Sequence, residues 1–294
     1  MGAIVKSRNP QRNFAAAGFV TPALVLLSLF FAYPLIASLW QSFYRTAKGE
    51  QSFAGLEQYQ RLLHDPLITK SLFNVVLILV IQVPIMIGLA LVLAHVVNQS
   101  WLKARQGFRM IYFLPAITTL VAYSLVFRIL LATDGGLVNQ FLHLVGHQPI
   151  DWLNSPLWAR MSVIAALTWR WTGYNMIILL AGMQSIPEEQ FDAAAIDGAG
   201  WVRTFRSVVV PQLRPVILFT IVTSTIGTLQ LFDESYILTE GGPNNATLTP
   251  ILYLYKVAFR QFDFNYASAI AWLVVALIAG ISFLQFRFFG DADE

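Results

Sequence analysis

Few residues in this 294-residue chain are of a type that does chemistry, and their spacing narrows the choices. Asp192 and Asp197 stand five apart in "EEQFDAAAIDGAG". Paired carboxylates can hold a Mg²⁺-bound diphosphate, as prenyl transfer inside a membrane requires. A spacing of five does not stack them on one helical face as i, i+4 would, and no second carboxylate cluster joins them. His64, His95, His143 and His147 form no HExxH motif and read as loop or helix-end residues. There is no cysteine, which excludes disulfides and thiolate metal sites. No Gly-x-x-x-x-Gly-Lys-Ser/Thr loop occurs, so the chain is not expected to bind or hydrolyse ATP. No metal or cofactor of its own is expected.

Two polar islands lie in otherwise apolar runs. In "LTWRWTGYNM", Arg170 is flanked by Trp169, Trp171 and Tyr174, with Gly173 between the last two. A central Arg costs about 2.5–3.5 kcal/mol on insertion scales, so it must face protein or water. It reads either as a solute contact or as a structural partner of Asp233 or Glu234. In "TSTIGTLQLFDES", Ser224, Thr228 and Leu231 share a helical face, with Gln230 and Asp233 near it. Aromatic faces beside hydroxyls suit sugar rings. Trp near a membrane interface and Ser/Thr bonded to backbone carbonyls are the plainer explanations.

The elements that hold these islands follow from composition. Hydrophobic residues make up 56% and charged residues 12%, about half the charged share of a soluble domain. Most of the surface must therefore face lipid. The net charge of +3, without basic–aromatic clusters, argues against nucleic acid. Apolar runs at 15–43, 71–97, 108–131, 158–184, 214–237 and 266–289 each exceed the roughly 20 residues a helix needs to cross. The fold class expected is all-α: a polytopic membrane protein with six transmembrane helices. Pro34, Pro84 and Pro115 predict kinks. The first run is too long for a signal peptide and lacks a small-residue cleavage site, so it reads as a retained span. The organisation expected is a tail at 1–14, one six-span domain at 15–289 and a tail at 290–294. Ten inner Lys/Arg against eight outer, with the cationic tail at Lys6, Arg8 and Arg12 and the short Lys103–Arg109 loop, favour both termini in the cytoplasm. Outside, 44–70 can form a short interfacial helix and 132–157 a turn-rich loop. A secondary transporter or channel would predict an internal repeat and broken mid-membrane helices, and neither is visible in the sequence.

The segment 187–215 is the anomaly, a polar, small-residue hairpin between two spans. Pro187 can open a helix, Glu188, Glu189 and Asp192 suit its positive end, and Gly198 with Gly200 can end it. Phe191, Ala194 and Ala195 share a face on which another surface could approach closely. Val202, Phe205, Val208 and Val209 form the apolar side of a second segment, before Pro211 and Pro215.

"DAAAIDGAG…F…VVVP" resembles the EAA loop of ATP-binding cassette importer permeases. Ala193, Ala194, Asp197, Gly198, Ala199, Phe205 and Pro211 fit; Asp192 stands for the usual Glu and Val210 for the usual Leu. "FDESYILTEGGPNNATLT" and "FAGLEQYQRLLHDP" resemble segments of the sugar and glycerol-3-phosphate branch, in the right order. The likeness covers nearly the whole chain and is closest to the maltose-type subunit. It implies a type I (MetI-like) permease bundle in a bacterial inner membrane. It implies a second homologous permease, a cytosolic ATPase dimer that uses ATP and Mg²⁺, and an extracytoplasmic binding protein. The EAA helix would dock on the ATPase, and a sugar would touch the region of Arg170, Gly173, Ser224, Thr228 and Leu231. The chain would not itself be an enzyme. A glycerol-3-phosphate or glycerophosphodiester solute is the alternative.

Overall fold

The computed structural model describes residues 10–47, 49–99 and 101–290. Lys6 and Arg8 of the expected N-terminal tail, Lys48 and the tail residues 291–294 lie outside the described residues. The helices begin with α1 (Pro10–Leu27), a five-residue π-turn at Ser28–Ala32 and α2 (Tyr33–Gln41). A hairpin follows, β1 (Tyr44–Ala47) antiparallel to β2 (Glu50–Phe53), with Tyr44 opposite Phe53. This small sheet departs from the all-α expectation; a four-residue strand pair among polar residues has no hydropathy signature. Next come α3 (Glu57–His64), α4 (Pro66–Asn98), α5 (Arg105–Ile117), α6 (Leu120–Leu130), α7 (Leu137–Leu144) and α8 (Pro156–Met183). After them lie α9 (Glu188–Ile196), α10 (Trp201–Thr204), a π-turn at Phe205–Val209, α11 (Val210–Gln212) and α12 (Arg214–Leu229). The chain closes with α13 (Asp233–Thr239), α14 (Pro250–Phe259) and α15 (Phe264–Gly290).

Four stretches are long and apolar enough to cross a membrane unbroken: Gly18–Gln41, Pro66–Asn98, Pro156–Met183 and Phe264–Phe288. Two bent pairs raise the total to as many as six. The third apolar run is therefore not one helix. It turns by 97° between α5 and α6, a break rather than the kink expected at Pro115. Thr118 and Thr119 take extended backbone there, and Thr119 Oγ1 accepts from Ala122 N–H to start α6. Pro115, one turn earlier, removes an N–H from the ladder that would have continued. The fifth run also stops early: α12 ends at Leu229, and α13 starts anew at Asp233.

The centre of the bundle is α4 packed on α8. Val75, Ile78, Ala90, Ala94, Ala159, Val163, Ala166, Met176 and Leu179 are fully buried along this pair. Small residues let two membrane helices approach closely where no hydrophobic drive exists between them. Pro84 lies inside α4 without interrupting it.

Polar clusters pin the end that carries the hairpin. Asp65 Oδ1 caps α4 at Leu67 N–H (2.8 Å), while its Oδ2 accepts from Tyr253 and Tyr266 hydroxyls, each at 2.7 Å. Burial pushes this carboxyl up, but the hydrogen bonds from Tyr266, Tyr253 and the α4 backbone outweigh it and hold the group below its ordinary value. Arg61 lies 3.8 Å over the Tyr266 ring and reaches Asp263 at 2.7 Å. The turn at Gly241–Gly242–Pro243 is stapled from two helices. Asn74 Nδ2 donates to Asn245 O (2.8 Å) and Leu248 O (2.9 Å), and Arg160 Nε to Ala246 O (2.9 Å). The motif after the fifth span is thus a fixed lid on the α4–α8 pair, held partly by Arg160.

The first span stands apart. Phe19, Phe30, Phe31 and Tyr33 are exposed along it, and it meets the bundle where Trp272 Nε1 donates to Ser38 Oγ at 3.3 Å.

Candidate functional site

A cavity of about 330 Å³ lies between α4, α8 and α12, with the start of α13 at its rim. From α12 and the turn after it come Thr223, Ser224, Gly227, Thr228, Gln230 and Leu231; Phe232, Asp233 and Glu234 complete the rim. From α8 come Leu167, Trp171, Tyr174 and Asn175, and from α4 Gln82 and Met86. Trp171 and Tyr174 meet edge to face at 5.7 Å and 86°. Thr228 Oγ1 donates to Gln82 Oε1 (3.2 Å), and Ser224 Oγ to Asn175 Oδ1 (3.5 Å). Asn175 Nδ2 donates to Trp171 O at 3.0 Å. The wall thus alternates aromatic faces with amides and hydroxyls, each with a weak or shareable partner.

Of the residues expected on the solute path, Tyr174, Ser224, Thr228, Gln230, Leu231 and Asp233 line this cavity. Trp169 does not; it is half exposed, facing an apolar groove on the opposite side of α8 beside Ile111 and Pro115. Gly173 is a packing residue: a Cβ there would lie 1.7 Å from the Tyr112 carbonyl oxygen of α5. Arg170 is buried behind the cavity wall rather than lining it. Gln82 and Asn175 escaped the sequence reading, although lone amides in long apolar helices are the signal that finds them.

Arg170 serves the bend. Its Nη2 donates to Thr118 O (3.1 Å), the carbonyl freed where α5 breaks, and its guanidinium lies 4.5 Å over Tyr123 and 5.3 Å over Trp171. Tyr123 donates its hydroxyl to Glu234. Among the described residues Arg170 forms no ion pair with Asp233 or Glu234; Tyr123 stands between Arg170 and Glu234. Arg170→Ala should therefore reduce the amount of assembled protein, by less than the roughly 3–5 kcal/mol of breaking a direct buried pair. Arg170→Ala/Glu234→Gln should recover part of it, as read by size-exclusion yield. A single variant that assembles at the native level would refute the structural role.

The segment 187–212 projects from the end opposite the hairpin. α9 starts after Pro187, with Glu188 and Glu189 in its first turn. Its end is closed by Gly198 N–H to Ala195 O (3.0 Å) and Ala199 N–H to Ala194 O (2.9 Å), with Gly198 at φ +68°. Gly200 is extended, at φ −71°, and starts α10 instead of ending α9. Phe191 packs in the cluster with Phe205, Val208 and Val209, and Ala194 is buried. They cannot form the presented face with Ala195 that periodicity suggested; i, i+3, i+4 spacing identifies a face but not which side it meets. The outward face is Glu188, Glu189, Asp192, Ala193, Ala195, Ile196 and Asp197, with Ile196 86% exposed. Pro211 lies in α11, just before the 72° bend into α12.

A helical bundle with several crossings, a solute-sized cavity among three of them and a short projecting helix define a membrane permease subunit. The chain belongs to the family of binding-protein-dependent transport system inner membrane components, which matches residues 86–290. It is similar to the lactose transport system permease protein LacF of Rhizobium radiobacter, 47% identical over 275 residues covering 91% of each protein. The arabinooligosaccharides transport system permease protein AraP of Halalkalibacterium halodurans is 33% identical, across 90% of this chain and 84% of that protein. The fold matches a chain of a crystallised bacterial alginate ABC transporter in complex with an alginate-pentasaccharide-bound periplasmic protein. The TM-score is 0.84 at 19% identity, over 94% of both chains. The chain is thus a multi-pass membrane permease of a binding-protein-dependent ABC importer.

Proposed function

We propose that this permease imports an uncharged sugar, with lactose the first solute to test. The observation that carries this is the cavity wall: the Trp171–Tyr174 edge pair beside Gln82, Asn175, Ser224 and Thr228. Its volume of about 330 Å³ falls in the ~300–1,000 Å³ range of small-molecule sites. The described lining contains Asp233 and Glu234 but no Lys, Arg or His. A glycerol phosphate would meet carboxylates without a cation to pair with, which weighs against that alternative. The similarity to a lactose permease at 47% identity supports the same choice.

On this reading a second permease completes the pathway, a binding protein delivers the sugar outside and a cytosolic ATPase dimer binds the outward face of α9. Hydrolysis belongs to those ATPase subunits. The end carrying 187–212 is cytoplasmic, as are both termini. Labelled lactose should enter vesicles holding the complete transporter, and excess glycerol 3-phosphate should not compete. Uptake of glycerol 3-phosphate in place of lactose would overturn the sugar assignment. Cysteines at Asn98 and Gln190 should react only from the cytoplasm, and one at Asn244 only from outside, with no native cysteine in the chain to interfere. External labelling at position 190 would overturn the topology and the ATPase contact together.

A further inference from the structure

His95 lies in the last turn of α4 and is 2% exposed. Its ring centroid is 4.8 Å from that of Trp201 and 5.0 Å from that of Phe205. These two rings belong to the return segment of the projecting loop and are stacked on each other at 6.2 Å and 10°. Nδ1 is buried without a hydrogen-bond partner among the described residues, and Nε2 has only a 3.5 Å approach to Gln99 Nε2. A buried imidazole normally hydrogen-bonds through its nitrogens. This one is held by its faces instead.

The position matters because of what else α4 carries. Gln82 is thirteen residues earlier on the same unbroken helix, about 20 Å away at 1.5 Å per residue. There it accepts from Thr228 of α12 across the cavity wall. α12 in turn continues from the Trp201–Gln212 segment through the 72° bend. The loop-to-α12 path and α4 share an apolar seam, with Ala94 and Val97 clustered with Val209 and Leu213, and Met86 and Ile87 with Ile217 and Ile221; the His95–Trp201–Phe205 stack extends it at the loop and the Gln82–Thr228 bond at the cavity. The bend lies between them. The stack is what ties Trp201, the start of the return segment, to α4; without it that end of the loop is held less firmly when the loop moves. Close-packed interfaces move as bodies, so a stacked trio carries one helix along with the other.

We propose that His95 is a positioning residue that makes α4, and with it the Gln82 side of the cavity, follow the ATPase-facing loop. The proposal rests on the reading of that loop as the ATPase contact. The imidazole acts as a flat ring, not as a proton carrier, and Phe should replace it.

The test uses the complete transporter in nanodiscs, all chains cysteine-free except for spin labels at Gln190→Cys on the loop and Val80→Cys on α4. The Val80 side chain is 60% exposed. With the native His95, the distance between the labels should be the same at rest and after trapping with ATP and vanadate. In His95→Ala it should shift or broaden on trapping, and ATP-driven lactose uptake into proteoliposomes of the same complex should fall about tenfold. His95→Phe should restore both. Trp201→Ala opens the stack from the half-exposed side and should copy His95→Ala, which decides the matter if His95→Ala fails to assemble. The proposal is overturned if Trp201→Ala keeps a fixed distance and native uptake, or if His95→Phe behaves like His95→Ala. If the native chain does not retain an ATPase at all, the loop assignment fails and this inference with it. A working native transporter with indifferent variants refutes this inference alone.

Discussion

Gly198→Asp is expected to reach the membrane at the native level and to lose its ATPase. Gly198 holds φ +68° where the chain turns out of α9, and a Cβ built there meets nothing within 4 Å. The cost to the fold is therefore only the left-handed backbone, at most about 1–2 kcal/mol and less for Asp than for most residues. A bundle anchored by the α4–α8 pair absorbs that. The docking face does not. The new carboxylate joins Asp197 at the negative end of a short helix, next to the exposed Ile196. Co-purified ATPase should drop by about tenfold or more, and transport with it. A Gly198→Asp protein that retains its ATPase and transports normally would contradict the docking assignment.

Gly173→Val is expected to have the opposite signature, loss of the protein itself. A Cβ at this position would lie 1.7 Å from the carbonyl oxygen of Tyr112 and 2.4 Å from its carbonyl carbon. Both are backbone atoms, so no side-chain rotation relieves the clash, and α5 must move away from α8. That shift would pull the Thr118 carbonyl from Arg170, which caps the bend. Overpacking of a well-filled interface costs about 1–3 kcal/mol when side chains can adjust, and a rigid backbone collision lies beyond that range. Gly227→Ala is the matched control: it sits in α12 with nothing within 4 Å of its Cβ, and should assemble normally. If Gly173→Val accumulates as well as Gly227→Ala, the close approach of α5 to α8 is wrong.

These two glycines also mark what could be read from the sequence. At Gly198 the local chemistry was sufficient. Pro187, two glutamates and a glycine at the right distance specify where a short helix starts and ends, whatever surrounds it. Gly173 gave no such signal, because its role depends on a helix sixty residues earlier and on a backbone atom with no side-chain identity. The bend at Thr118–Thr119 was hidden for a related reason. The run 108–131 stays apolar through the turn, and hydropathy registers lipid exposure, not backbone direction. Arg170 was visible as a costly charge, yet its partners were not. They are a carbonyl at that hidden bend and a tyrosine on the far side of it. The cavity was legible on α12, where Ser224 and Thr228 recur at helical spacing. It was missed on α4, where Gln82 is a single amide in a long apolar helix.

On the proposed function, this chain carries sugar across the membrane only when driven through its projecting loop by ATP hydrolysed on a partner. The direct measurement is uptake of labelled lactose and related oligosaccharides into proteoliposomes that contain the chain, its second permease, the ATPase and the binding protein. Uptake should require both ATP and the binding protein and disappear in Gly198→Asp. Sugar uptake by this chain alone, driven by an ion gradient and indifferent to ATP and to Gly198→Asp, would contradict it.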